Sequence, residues 1–211
     1  MKFPLVGLDE VGRGCLAGPV MSCAILWKSP EDAIVPEDWF SEIRDSKRLS
    51  ERQRERLAEK IQSRWVCRMG SASVEEIDRL NILQASLLSM ARTLKGWDGP
   101  SPTLLIDGNQ KIRQQHFEWT GLSGGSQWEQ YTLIGGDAQS PLIAAASIVA
   151  KVHRDRLMKA LEKEFPGYGF ASHKGYGSEF HRKALAKLGV TLWHRKSFSG
   201  VKELVSSSAR A

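Results

Sequence analysis

Four acids sit where apolar runs give out. Leu5, Val6 and Leu8 lead to Asp9 and Glu10, residues 103–106 lead to Asp107, and residues 131–134 lead through Gly135 and Gly136 to Asp137. One acid after a strand is ordinary, because aspartate is a favoured turn residue. Three such positions at one edge of a sheet make a site, since ligands of open α/β sheets gather beyond the strand ends. Carboxylates that close could not all stay ionised unaided, because like charges raise one another's pKa. Hard divalent cations relieve the conflict through oxygen ligation, and an all-oxygen set favours Mg2+ or Mn2+ over zinc. Two such ions about 4 Å apart stabilise both the attacking and the leaving oxygen of an in-line phosphoryl displacement. The chemistry these residues suit is metal-dependent phosphodiester hydrolysis.

The first acids must be placed by their own strand. Neighbours in a regular strand point to opposite faces, so Asp9 and Glu10 are expected to share a ligand only where the strand ends and the chain bends. Gly12, Arg13, Gly14 and then Gly18-Pro19 supply that bend and bring bare backbone to the surface. An arginine between two glycines has little packing purpose and suits substrate contact. Gly12, Gly14 and Ala17 also fit a dinucleotide fingerprint, with Glu31 and Asp32 near the right distance. That motif needs a helix directly after the glycines. The apolar run from Val20 to Trp27 reads as a buried strand instead, so the nucleotide reading loses.

The 211 residues and ordinary apolar content suit one domain with a real core. No uncharged apolar run approaches the roughly 18 residues a membrane span needs, and Met1 to Pro4 leave no room for a signal peptide. Cys15, Cys23 and Cys67 lack metal-ligand spacing and fit a reducing cytoplasm. Net charge is +6, with nine basic against four acidic residues in 44–68. Residues 173–202 hold seven basic residues and three histidines against Glu179 alone. Basic clusters beside strand-end acids imply a polyanion partner as well as a metal.

The remaining elements follow from caps and periodicity. Ser50 with Gln53 opens a helix whose Leu57, Ile61 and Trp65 face inward. Residues 66–72 form a short strand. Ser73 with Glu76 caps one long helix with Ile77, Leu80, Leu83, Leu87, Met90 and Leu94 on its core face. Residues 110–130 form a polar, glycine-rich connection. Ser140 and Pro141 open a helix that reaches about Phe165 and whose alanines permit close packing. Ser178 opens a short basic helix, and the chain frays from Ser206. On the long helix, Ser147, Lys151 and Arg154 share a face at i, i+4 and i+7, as a polar surface stripe or as substrate contacts. Asp155 is expected on an exposed face between Lys151 and Lys159. His116 and His153 are expected at the surface. Lys47 and Arg48 precede a helix N-terminus, a natural phosphate site, and Tyr176 between glycines suits a ring stacked on a sugar.

Six ordered signatures resemble those of the ribonuclease HII family. They are Gly7-Leu8-Asp9-Glu10-Val11-Gly12-Arg13-Gly14; Asp45-Ser46-Lys47-Arg48-Leu49-Ser50; Ile106-Asp107-Gly108-Asn109; the helical run from Ala144 to Asp155; His173-Lys174-Gly175-Tyr176-Gly177; and His194-Arg195-Lys196-Ser197-Phe198. The resemblance implies an α/β fold of ribonuclease H type, a five-stranded mixed sheet flanked by helices. It implies a catalytic core over residues 1–165 and a substrate-binding helical extension over 166–211. It implies an endonuclease, a cytoplasmic monomer needing Mn2+ or Mg2+, that cuts the RNA strand of RNA–DNA hybrids. The same enzyme would cut duplex DNA 5′ to an embedded ribonucleotide, leaving 3′-hydroxyl and 5′-phosphate ends. Asp9, Glu10, Asp107 and Asp137 stand at the family's metal-binding positions. Gly12, Arg13 and Gly14 stand at its 2′-hydroxyl loop, helped by Tyr176. Val11 and Cys15 depart from the usual first signature, and residues 121–128 read as an insertion. The rival readings are a DNA-only or junction-cutting nuclease and a hybrid-binding module without activity.

Overall fold

The computed structural model describes residues 2–34, 41–43 and 49–208, so Lys47 and most of the second signature lie outside the described residues. Strands β1 (Leu5–Val11), β2 (Val20–Trp27), β3 (Val66–Ala72), β4 (Thr103–Asp107) and β5 (Gln130–Leu133) form one sheet in the order β3-β2-β1-β4-β5. β1 is antiparallel to β2 and parallel to β4, and β4 is parallel to β5. The sheet is therefore mixed, as expected, and its three parallel strands bring their C-terminal ends to one edge.

One detail of β1 departs from expectation. The strand does not end at the acids: Asp9 pairs with Cys23, Glu10 with Ser22 and Val11 with Met21. Pairing with β4 stops earlier, at Leu8 and Ile106. Asp9 and Glu10 thus lie in a stretch held on one side only, where side chains can turn toward β4 without a chain bend.

Helix α1 (Glu51–Arg64) begins at a complete capping box. The Gln53 N–H donates to Ser50 Oγ at 3.4 Å, and the Ser50 N–H donates to Gln53 Oε1 at 3.0 Å. Ser73 and Glu76 cap α2 (Val74–Leu80) in the same way. The single helix expected here is two, because Asn81 takes φ 71° and its Oδ1 accepts the N–H groups of Leu83 and Gln84, at 3.0 and 3.1 Å. Asparagine tolerates that conformation and competes as a cap. Ile77 and, on α3 (Ile82–Thr93), Leu87 and Met90 are buried as expected, while Leu80 and Leu83, which flank the break, are only half-buried.

The connection over 110–130 is more ordered than its composition suggested. It contains α4 (Gln114–Glu118), with Phe117 buried edge-on against Trp128. The Gln130 side chain accepts the Ile112 N–H and donates to its carbonyl, at 2.9 and 3.0 Å. His116, expected at the surface, is fully buried. Its Nδ1 accepts the Arg113 N–H at 3.2 Å and its ring meets Trp119 edge-on.

After α5 (Gly136–Gln139), the long α6 (Pro141–Glu164) buries Ala144, Ala145, Ala146 and Ala150 completely. It lies so close to β1 that a Cβ at Gly7 would stand 2.6 Å from Leu142 Cγ and 2.7 Å from its carbonyl carbon. Overpacking of this kind costs about 1–3 kcal/mol or more. Gly7→Ala is therefore expected to lower the thermal unfolding midpoint, and an unchanged midpoint would contradict the close packing.

The chain divides into two compact units, which cut across the boundary expected at 165/166. The first comprises Met1–Val11, Met21–Ser71 and Leu87–Val152, with the sheet core of Cys23, Ile25, Leu57, Ile61, Ile143 and Val149. The second comprises Gly12–Val20, Ala72–Ser86 and His153–Ala211, with Leu16, Met158, Phe170 and Leu185 at its centre. The second unit also carries α7 (Phe170–His173), α8 (Glu179–Leu188) and α9 (Lys202–Ser208), so helix continues past Ser206, where fraying was expected. Among the described residues no helix is long and apolar enough to cross a membrane.

Candidate active site

Carboxylate oxygens of Asp9, Glu10 and Asp107 all lie within 4.8 Å of one another. Asp9 is 6 % exposed, and its carboxylate turns along the strand so that Oδ1 accepts the Glu10 N–H at 2.7 Å. That turn, with the longer reach of glutamate, is how two consecutive strand residues come to share a site. Burial pushes the Asp9 pKa up to about 8; a hydrogen bond from Ser147 opposes the rise, while the charges of Glu10 and Asp107 add to it. Glu10 Oε2 is shielded from solvent. At the end of β4, Asp107 Oδ1 accepts the Gly136 N–H at 2.6 Å. Position 136 is tight: a Cβ there would stand 2.7 Å from Ile143 Cδ1 and 3.2 Å from Asp107 Oδ1, so any larger residue must displace one of these side chains.

An all-oxygen set with one acid forced toward neutrality is what a hard divalent cation relieves, so these residues fit such an ion. Asp137 follows Gly136 directly on α5 and is half-buried, but it is not in the three-residue cluster. Ser147, expected on a polar surface stripe or at the substrate, is half-buried, and its side chain hydrogen-bonds Asp9. Lys151, one turn further along α6, is half-buried.

In the second unit the sequence expectations need more correction. Arg154, expected on a surface stripe or at the substrate, is fully buried. It donates to the carbonyls of Lys174 (2.7 Å), Ala17 (2.9 Å) and Pro19 (3.3 Å). Asp155 is also buried, not on an exposed face, because α6 is covered on this side as well. Arg195 is equally enclosed and donates to Gly12 O (2.7 Å), Arg13 O (2.8 Å) and Gly18 O (2.9 Å). Part of the basic cluster over 173–202 thus turns inward, where it satisfies backbone carbonyls.

These guanidinium groups shape the glycine loop. Gly12 is buried at φ +93°, and a Cβ there would collide with the Arg154 guanidinium, while Arg13 and Gly14 are exposed. Tyr176 bridges to Cys15 in antiparallel fashion and is 47 % exposed, with its ring 3.9 Å from where a Cβ on Gly14 would stand. Sequence reasoning missed the roles of Arg154 and Arg195. Both lie within the quoted signatures, but nothing local separates them from solvated basic residues.

A mixed sheet with clustered carboxylates at the C-terminal edge of its parallel strands is the arrangement that suits a metal-dependent nuclease of the ribonuclease H type. Residues 6–201 match the family profile described as Ribonuclease HII. The ribonuclease HII of Synechococcus elongatus is 46 % identical over 195 residues, spanning 92 % of this chain and 84 % of that one. The structure of the ribonuclease H2 from Pyrococcus horikoshii OT3 superposes with TM-score 0.74 at 22 % identity, over 99 % of this chain and 100 % of that one. Bst-RNase HIII in complex with Mn2+ superposes with TM-score 0.73 at 20 % identity, over 99 % and 71 %. The chain belongs to the ribonuclease HII family. It is a metal-dependent endoribonuclease acting on the RNA of RNA–DNA hybrids.

Proposed function

We propose that the chain cuts the RNA strand of RNA–DNA hybrids, and duplex DNA 5′ to an embedded ribonucleotide, leaving 3′-hydroxyl and 5′-phosphate ends. The observation that carries this reading is the convergence of Asp9, Glu10 and Asp107 within 4.8 Å at one sheet edge. Together with Asp137 they would hold Mn2+ or Mg2+, which supplies charge stabilisation at the attacking and leaving oxygens when bound. The Mn2+ named for the structurally similar Bst-RNase HIII supports manganese as one competent ion.

The chain's own residues do the rest. Ser147 orients Asp9, and the Gly136 N–H orients Asp107. Gly12, Arg13 and Gly14 meet the ribose with Tyr176. Arg195 holds the Gly12 and Arg13 carbonyls, so the loop's backbone N–H and C=O groups stand fixed for a 2′-hydroxyl, which both donates and accepts. Lys151 and Lys47 contact phosphates. The enzyme works as a monomer in the cytoplasm, a setting supported by Cys15, Cys23 and Cys67 being outside any disulfide.

A matched pair of duplexes, identical except for one ribonucleotide, tests this. With Mn2+ or Mg2+ only the ribonucleotide-containing duplex is expected to be cut, on the 5′ side of that residue, and EDTA stops the reaction. Equal cutting of the all-DNA duplex would establish the DNA-only alternative. Hybrid binding with no cleavage after Mn2+ is added would establish the binding-module alternative.

A further inference from the structure

Two buried histidines form a hydrogen-bonded chain that ends on Tyr176. His181 Nδ1 lies 2.9 Å from the Tyr176 carbonyl oxygen, and its Nε2 lies 3.1 Å from His194 Nε2. His194 Nδ1 in turn meets the Thr191 N–H at 3.0 Å and Thr191 Oγ1 at 2.8 Å. These partners settle both tautomers. A carbonyl only accepts, so His181 Nδ1 carries the proton and its Nε2 is bare. A backbone N–H only donates, so His194 Nδ1 is bare and its Nε2 carries the proton. The two requirements meet without conflict at the Nε2–Nε2 contact. Donation therefore runs one way, from Thr191 through His194 and His181 to Tyr176.

The surroundings keep this chain in place. Both rings are fully buried, and burial lowers both pKa values to about 4, so neither ring carries charge at neutral pH. His173 stacks on His181 with centroids 4.3 Å apart; its Nε2–H donates to the Tyr168 carbonyl at 2.7 Å and its Nδ1 accepts the Gly175 N–H at 3.1 Å. The Ser178 N–H gives the Tyr176 carbonyl a second donor at 2.8 Å. The main chain of Tyr176 is held from two directions while its ring stays half open to solvent.

We infer that His181, backed by His194, is a positioning residue for ribose discrimination, fixing the Tyr176 backbone so that the exposed ring stands beside Gly14 before substrate arrives. This rests on the reading of Tyr176 as a ribose contact. A ring set in advance loses less freedom on binding, and small displacements of a positioning group carry large kinetic effects.

The test uses the full chain with Mn2+, a duplex carrying one ribonucleotide for cleavage and an all-DNA duplex for binding. His181→Gln moves the donor by one methylene and is expected to lower kcat/KM about tenfold, the loss of roughly one well-placed hydrogen bond. Affinity for the all-DNA duplex should stay within about twofold, because phosphate contacts dominate it. His181→Asn, whose amide N–H falls where Nδ1 stood, should retain kcat/KM within about twofold. Tyr176→Ala sets the ceiling, and adding His181→Gln to it should cost nothing more. If Asn and Gln lose activity equally, if neither loses it, or if the double variant is additive, the positioning role is overturned. If Tyr176→Ala itself keeps full activity, the underlying reading of Tyr176 fails, a separate and distinguishable result.

Discussion

Asp9→Asn is expected to abolish cleavage and, in the same protein, to raise the unfolding temperature measured in EDTA. The catalytic loss follows from removing the central carboxylate of the cluster. Metal-borne charge stabilisation is worth several kcal/mol, so a fall on the order of a thousandfold or more is expected. Binding to duplexes should persist, since phosphate contacts carry most of it. The stability gain follows from the sign of the Asp9 shift. Its pKa is raised from 3.8 to about 8, so between those values the folded state holds a proton that the unfolded chain releases. Stability is therefore greatest below pH 4 on this account and declines as pH rises toward 8, by on the order of a few kcal/mol. Asparagine removes that dependence. Because divalent ions bind the ionised form, Mn2+ should stabilise the wild type more at pH 8 than at pH 6 and the variant little at either. Calorimetry in EDTA and in Mn2+ at both pH values decides it. A variant no more stable than wild type in EDTA at pH 8 would contradict the burial argument.

The second large effect is on stability alone. Arg195→Met should lower the unfolding midpoint by on the order of 10 °C. Three carbonyls, of Gly12, Arg13 and Gly18, lose the guanidinium together, and that of Gly12 keeps only the long 3.5 Å bond from the Cys15 N–H. A buried acceptor without a partner costs about 1–3 kcal/mol, and each kcal/mol is worth roughly 2–4 °C in a chain of this length. Arg195→Lys should recover only part of the loss, because an ammonium cannot reproduce the planar fork that reaches several oxygens at once. Thermal melting measures the first effect, and hydrogen exchange across 12–18 should show the loosening localised there. A melting curve unchanged in both variants would mean that water replaces the guanidinium at no cost.

The two arginines also mark where sequence reading stops. The cluster was legible because each acid ends or interrupts an apolar run, a signal contained in a few neighbouring residues. Both capping boxes were legible for the same reason, Ser50 with Gln53 and Ser73 with Glu76. The burial of Arg154 and Arg195 was not, since their acceptors lie from 20 to 183 residues away along the chain. From sequence they look like the solvated charges around them. Asp155 and His116 were misplaced by the same limitation. At Asn81, helical periodicity carried across a break because the apolar pattern continues on both sides, and only the side chain's capping bonds reveal the interruption.

The half-paired end of β1 has a consequence for how this enzyme can change over time. Two of its clustered carboxylates are consecutive letters of one strand, and that strand is aligned residue by residue with β2. Sliding β1 by a single position would exchange the residues on its two buried faces and carry both acids away from Asp107 at once. A deletion or insertion anywhere in Leu5–Val11 therefore cannot be tolerated as a loss of fit alone or as a loss of reactivity alone. Affinity for the cation becomes a direct gauge of whether the central strands have found their correct alignment.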